Sequence, residues 1–162
     1  MPRSAVRQCW QCLSAQSRLS IVTTLANVLT IVGERWTLLV VREVALGVRR
    51  FDELQAATGA PRAVLADRLK LLVEAGVLQL RPYQNPGSRP RQEYTLSPAG
   101  TDLLPVLSAL SDWGERHLPG GSVPDVAYCH SGCGHRLTAR LVCECGEQVE
   151  PGPDLVASVN RP

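Results

Sequence analysis

The residues with the clearest capacity for chemistry are six cysteines, which fall into two groups near the two ends of the 162-residue chain. Cys9 and Cys12 form the first group, with the C-x-x-C spacing that occurs in redox and metal sites. The second group contains four cysteines, two of them followed by glycine: Cys129, Cys133, Cys143 and Cys145. Thiolates are both nucleophiles and metal ligands, so these groups predict metal binding or thiol redox chemistry.

The C-terminal cysteines resemble the two turns of a small zinc ribbon, because each turn ends in Cys-Gly and nine residues separate the turns. Zinc prefers four thiolate or imidazole ligands in a tetrahedron. Cys133, Cys143 and Cys145 are the firmest predicted ligands, and either Cys129 or His130 would complete the set. The spacing within the turns is x3 and x1, where zinc sites usually have x2. A structural zinc site, a thiol sensor and cysteines without a ligand therefore all stay open.

The N-terminal pair has a different set of interpretations. A thioredoxin-type site would need a strand before the pair and a helix after it, and residues 1–20 show the apolar periodicity of neither. A sensor of peroxide or electrophiles remains, as do incidental cysteines in a flexible arm.

The second set of candidate residues is basic. Residues 1–118 carry 14 Lys and Arg against 10 Asp and Glu, a net charge of +4, whereas residues 119–162 carry 3 against 5, a net charge of −2. Nucleic-acid binding needs Lys and Arg near phosphates, although a charge of +4 is weak evidence by itself.

Apolar periodicity places these residues on a series of helices and one β-hairpin. Gly59 allows a sharp turn between the third and fourth helices, Pro61 suits the first position of the fourth, and Pro105 should kink the last. The predicted fold class is mainly α with a small β-hairpin wing (α+β), a winged helix-turn-helix followed by a Cys-rich tail. The predicted helices cover residues 21–32, 34–46, 51–58, 61–75 and 98–118, and the strands cover residues 77–83 and 92–96. The domains are an arm (1–20), the winged domain (21–118) and the tail (119–162).

The fourth helix has the character of an element that reads a DNA groove. Leu65, Leu69 and Leu72 fall within about 60° of one another around the helix axis, so they must face the core. Small and polar residues lie opposite them, and basic residues flank the helix on both sides. The predicted DNA contacts are Arg49, Arg50, Arg62, Ala63, Ala66, Asp67, Lys70, Arg89 and Arg91.

Some of these basic side chains also have a structural interpretation. Arg49 and Arg50 could be solvated loop charges, and Arg68, close to the leucine stripe, is expected to form an ion pair with the second helix or the hairpin.

Several motifs in a fixed order resemble the HxlR-type family of winged-helix transcription regulators, relatives of the MarR-like group. They occur at residues 33–39 (GERWTLL), 49–54 (RRFDEL), 65–69 (LADRL), 74–76 (EAG), 89–94 (RPRQEY) and 113–115 (WGE). The resemblance covers residues 22–118. It implies a homodimer built from the first and last helices that binds a two-fold-related operator and usually represses transcription. The chain departs from the family pattern at Thr23, where many members have a redox-sensing cysteine, and at Ala60, where many have serine.

These observations predict a homodimeric repressor that places helix 61–75 in the major groove of a double-stranded DNA operator and wing 84–91 in the minor groove. A winged-helix module that binds protein is the alternative. No Ser/His/acid set, phosphate-cradling glycine loop or pair of carboxylates favours an enzyme. No apolar run approaches the roughly 18 residues that a membrane helix needs, and we expect a cytoplasmic protein.

Overall fold

The computed structural model describes residues 24–84, 87, 89–119 and 126–157. Cys9, Cys12 and Thr23, and with them the predicted arm, lie outside the described residues. The elements are α1 (Thr24–Val32), α2 (Arg35–Ala45), α3 (Phe51–Thr58), α4 (Arg62–Glu74), β1 (Leu78–Tyr83), β2 (Arg91–Leu96), α5 (Pro98–Thr101), α6 (Leu104–His117), β3 (Leu141–Val142) and β4 (Gln148–Val149). This order is the predicted winged helix-turn-helix.

The core lies where α2, α3 and α4 pack together. Leu65, Leu69 and Leu72 of α4 are at most 1% exposed, which confirms the predicted leucine stripe. α2 contributes its valines, and α3 contributes Leu54. Leu78 of β1 and Leu107 of α6 also belong to this core. Because the leucines of α4 are buried in it, the core fixes the orientation of α4.

β1 and β2 form a regular antiparallel hairpin, with the wing between them, in which Leu78 pairs with Leu96 and Tyr83 pairs with Arg91. The backbone N–H of Tyr94 donates to the carbonyl of Arg49 at 2.8 Å, which joins β2 to the loop before α3. At its base, Ser97 accepts from the N–H of Gly100 and donates to the carbonyl of Val77. Ser97 is therefore the N-cap of α5, and the hairpin is hydrogen-bonded to neighbouring segments at both β2 and its base.

The predicted kinked helix over residues 98–118 is two helices in the structure. α5 ends at Thr101, and α6 begins at Leu104 with Pro105 in its first turn. Proline lacks an N–H and clashes with the carbonyl four residues earlier, but in a first turn neither effect has a cost. The chain breaks before Pro105 because a fresh helix start satisfies these constraints, whereas an internal kink would lose a hydrogen bond.

Tyr128 and Arg136 connect the described part of the tail to the winged domain. Tyr128 packs against the core, where burial raises the pKa of its phenol. Arg136 forms ion pairs with Asp112 and Glu115 of α6, with N–O distances of 2.8 and 2.6 Å. Among the described residues, no single helix is long and apolar enough to cross a membrane, and the adjoining α1 and α2 meet at 73°.

Candidate nucleic-acid interface

The helix-turn-helix depends on a tight turn between α3 and α4. Gly59 has a φ of 69°, a left-handed conformation that few other residues adopt without strain, and its N–H donates to the carbonyl of Gln55 at 2.9 Å. Ala60 is 2% exposed and belongs to the core. Pro61 is the residue before the first helical position of α4, one position earlier than predicted. The turn thus holds α4 against α3 through backbone geometry and burial.

The outer face of α4 carries the predicted groove-facing residues. Ala63, Ala66, Asp67 and Lys70 are all exposed, as their position opposite the leucine stripe requires. The Nζ atom of Lys70 lies 3.8 Å from a carboxylate oxygen of Glu74, one turn further along. Small side chains in the middle of this face let the helix backbone approach another surface closely.

Arg62 links α4 to α3. Its Nη1 atom lies 3.1 Å from Oδ1 of Asp52 and donates a 3.3 Å hydrogen bond to Gln55. The guanidinium carbon lies 4.6 Å from the centre of the Phe51 ring, within the range of a cation–π interaction. The side chain is nevertheless 69% exposed, so it stays accessible at the start of α4.

The two arginines before α3 contact residues of the β1–β2 hairpin, and one of them also contacts α3. Arg49 contacts Glu93 of β2 at 3.3 Å. Arg50 lies over the ring of Tyr83 at 4.7 Å and is 3.8 Å from a carboxylate oxygen of Glu53. Both side chains are about half exposed, at 54% and 45%, so the contacts position them without burying their charge.

The β1–β2 hairpin and its wing supply cations that have no ion pair with another residue in the described part of the chain. Arg89 and Arg91, both predicted contacts, are exposed at the tip and at the start of β2. Arg81 of β1 is also exposed and lies opposite Glu93 in the hairpin register. Arg81 is not among the DNA contacts predicted from the sequence. Arg81 lies within the predicted strand 77–83, but its position opposite Glu93 follows from the hairpin register, which the sequence left open.

Arg68 does not form the expected ion pair with any other described residue. It is half-buried, and its Nε atom is shielded from solvent and has no hydrogen-bond partner among the described groups. The hydroxyl oxygen of Thr37 in α2 is likewise shielded from solvent and has no hydrogen-bond partner among the described groups. The aliphatic stem of Arg68 therefore packs at the edge of the core.

Among the described residues, the structure brings two of the four tail cysteines together, Cys143 and Cys145. Nδ1 of His130 lies 3.2 Å from the sulfur of Cys133, so a histidine is the polar neighbour of that thiol. Cys143 and Cys145 are in contact on the turn between β3 and β4. Within the described ranges, no three His, Cys, Asp or Glu side chains are close enough to hold a metal ion. A zinc site built from Cys129 and these three thiols stays a prediction, and it would require the two turns to approach each other.

Cys145 has an environment that favours the thiolate. The backbone N–H of Glu147 and the thiol of Cys143 both donate to its sulfur, and these hydrogen bonds lower its pKa. The four cysteines of the tail are exposed and free.

Comparisons with known proteins agree with this geometry. The profile of the HxlR-like helix-turn-helix family matches residues 31–122. An uncharacterised HTH-type transcriptional regulator of Mycobacterium tuberculosis, Rv3095, is 40% identical over 144 residues, which cover 84% of this chain and 90% of the relative. An HTH-type regulator of the cyanobacterium Synechocystis is 33% identical over 100 residues, covering 59% of this chain and 73% of the relative.

Solved structures show the same architecture. The crystal structure of PA1607, described as a transcription factor, superposes with a TM-score of 0.72 at 30% identity and covers 89% of this chain and 99% of its own. PA1374 from Pseudomonas aeruginosa, also described as a transcription factor, gives a TM-score of 0.53 at 30% identity, with 83% and 95% coverage. The chain therefore belongs to the HxlR-like helix-turn-helix family and is a DNA-binding transcriptional regulator of that type, not an enzyme.

Proposed function

We propose that the protein is a homodimeric, sequence-specific repressor that inserts α4 into the major groove of its operator and lays the wing, residues 84–91, along the neighbouring minor groove. The observation that carries the proposal is the arrangement of α4. Its leucines are buried, its small and polar face is exposed, and the cations of the wing lie on the same polypeptide segment just after it.

The dimensions and chemistry of α4 suit a major groove. The thirteen residues of α4 form a helix about 20 Å long and about 10–12 Å wide. The major groove of DNA is about 12 Å wide and admits an α-helix. Ala63 and Ala66 can approach thymine methyl groups, and Asp67 can accept from cytosine. Arg62 and Lys70 flank them and can reach phosphate. The wing arginines, Arg89 and Arg91, suit the negative potential of a narrow minor groove.

In the proposed homodimer, a second copy of the chain buries an apolar surface that is exposed in the single chain. α1 exposes Leu25 and Leu29 at 66% and 53%, and α6 exposes Leu110 and Trp113 at 51% and 53%. Side chains of this size gain from burial at about 25 cal/mol per Å² of apolar area. The family resemblance implies a dimer built from the first and last helices, and both helices carry exposed apolar side chains. Its two α4 helices would then contact two half-sites.

The test is selection of DNA by the purified full-length protein from a random duplex pool, followed by fluorescence anisotropy on the enriched sequence. We expect a two-fold-related consensus and binding that weakens steeply as salt is raised, because phosphate contacts release counterions. Failure to enrich any sequence, or an affinity that does not respond to salt, would contradict DNA reading and favour a protein-binding module.

Repression is tested in cells. Deletion of the gene should raise the transcripts whose promoters contain the selected sequence, and a fall in those transcripts would make the protein an activator. Because the operator lies on the chromosome, the proposed place of action is the cytoplasm.

A further inference from the structure

Cys143 and Cys145 share one tight turn whose backbone holds both sulfurs at the surface. The N–H of Cys143 donates to the carbonyl of Glu147, and the N–H of Gly146 donates to the carbonyl of Cys143, both at 2.8 Å. Gly146 has a φ of 90°, which closes the turn. β3 and β4 pair on either side of it. The two thiols are therefore preorganised by four residues of ordered chain, and both are exposed.

The sulfurs also lie in contact with each other and with amide donors. The thiol of Cys143 donates to the sulfur of Cys145, which also accepts from the backbone N–H of Glu147. The two sulfurs are therefore neighbours on one exposed turn.

The other cysteines of the tail lack this arrangement. Cys133 has an imidazole nitrogen as its neighbour at 3.2 Å. Cys129 lies in a β-bridge with Arg136, at the far side of its turn. In the described part of the chain, no third His, Cys, Asp or Glu side chain joins Cys143 and Cys145 to complete a metal site. The site offers two sulfurs.

We propose that the Cys143–Cys145 pair is a binding site for soft electrophiles that accept two sulfur ligands, with monosubstituted trivalent arsenicals as the defining class. In water such an arsenical carries one carbon group and two hydroxyls. Two As–S bonds form and two As–O bonds break. Each thiol proton leaves with a hydroxide as water, and the oxidation states of arsenic and sulfur are unchanged.

The second As–S bond forms within one molecule, so its effective concentration is high. Linking two binding groups in this way raises affinity by about 10²–10⁴-fold over one group alone. A single thiol should therefore lose the arsenical to an excess of a monothiol, whereas the pair should retain it and release it only to a small dithiol.

The experiment uses full-length protein in which Cys9 and Cys12 are replaced by serine, because they form a second pair of closely spaced thiols. The reduced, chelator-washed protein is treated with phenylarsine oxide in excess 2-mercaptoethanol, and intact mass spectrometry counts the adducts. One adduct per chain is expected. Cys145→Ser should remove it, with a loss of affinity of at least about 10²-fold. Dithiothreitol should reverse the adduct.

Cys129→Ser/Cys133→Ser is the control, because it removes the two exposed tail thiols outside the pair and should keep the adduct. Retention in Cys145→Ser, or loss in the control, would overturn the proposal. So would stoichiometric zinc that blocks the reagent in freshly purified protein. None of these readouts involves DNA, so the result is independent of the proposed repressor function.

Discussion

Replacing Arg62 by alanine distinguishes the two roles that its position allows, a link between α3 and α4 and a contact with DNA. The ion pair with Asp52 joins side chains that are 69% and 80% exposed, and such surface pairs contribute about 0–1 kcal/mol. The cation–π contact with Phe51 is also at the surface and adds about 0.5–1 kcal/mol. Arg62→Ala should therefore lower the free energy of unfolding by about 1 kcal/mol, as measured by urea denaturation.

The effect on DNA binding should be larger than this stability loss can explain. A base contact is worth about 1–3 kcal/mol, and a phosphate contact lowers the salt slope by about 1. Asp52→Ala is the matched variant, because it removes the same ion pair and leaves the cation in place. We expect it to keep the affinity of the wild-type protein or to raise it, since it also removes a negative charge close to phosphate.

The measurement is fluorescence anisotropy of both variants on the selected operator across a salt series. Equal weakening by Arg62→Ala and Asp52→Ala would refute direct contact, because the shared loss is the ion pair. Unchanged affinity in both would remove Arg62 from the interface while leaving the fold intact.

Other predictions concern the wing, the dimer, the turn at α5 and the tail. Arg91→Ala should weaken operator binding and lower the salt slope by about 1, as expected for a phosphate contact, and wild-type anisotropy at every salt concentration would contradict this. Trp113→Asp should give a folded monomer in analytical ultracentrifugation, whereas a persistent dimer would place the interface elsewhere. Gly100→Ala should lower the free energy of unfolding by about 1–3 kcal/mol in urea, because the added Cβ would meet the backbone oxygen of Val77, and a neutral effect would refute that contact. Cys145 should react with iodoacetamide at lower pH than the other tail thiols, because its lowered pKa keeps it ionised there, and identical pH profiles would show otherwise.

The sequence was sufficient wherever a local pattern determines the structure. Leu65, Leu69 and Leu72 repeat at the helical period, so their burial and the exposure of the opposite face followed from spacing alone. Gly59 marked a turn that required positive φ, and the structure has it there. Local rules gave α4 and its orientation, and through them the predicted groove-facing residues.

The sequence was insufficient where two local solutions compete or where partners are distant. Pro105 is compatible with both a kink and a new helix start, and the structure adopts the new start, in which the missing N–H of proline costs no hydrogen bond. The neighbours of Arg62 belong to another helix, and those of Arg49 lie 44 residues away. Arg68 shows the converse case, since it does not form the expected ion pair with any described residue.

The charge distribution indicates how affinity and specificity should divide between α4 and the wing. On α4, Arg62 faces Asp52 and Lys70 faces Glu74, so the two exposed cations of the helix lie beside carboxylates that reduce its net field, and its third cation, Arg68, is half-buried. The wing arginines have no such pairing in the described part of the chain. Salt-dependent attraction should therefore follow the wing, because counterion release depends on cations that meet phosphate. Base preference should follow Ala63, Ala66 and Asp67, because short side chains in the middle of a helix face can discriminate only at close approach. A wing variant should accordingly weaken binding to all sequences alike, whereas Asp67→Ala should change which sequences are selected from the random pool. If the wing variant altered the consensus and Asp67→Ala altered only the salt slope, the assignment of the two elements would have to be reversed.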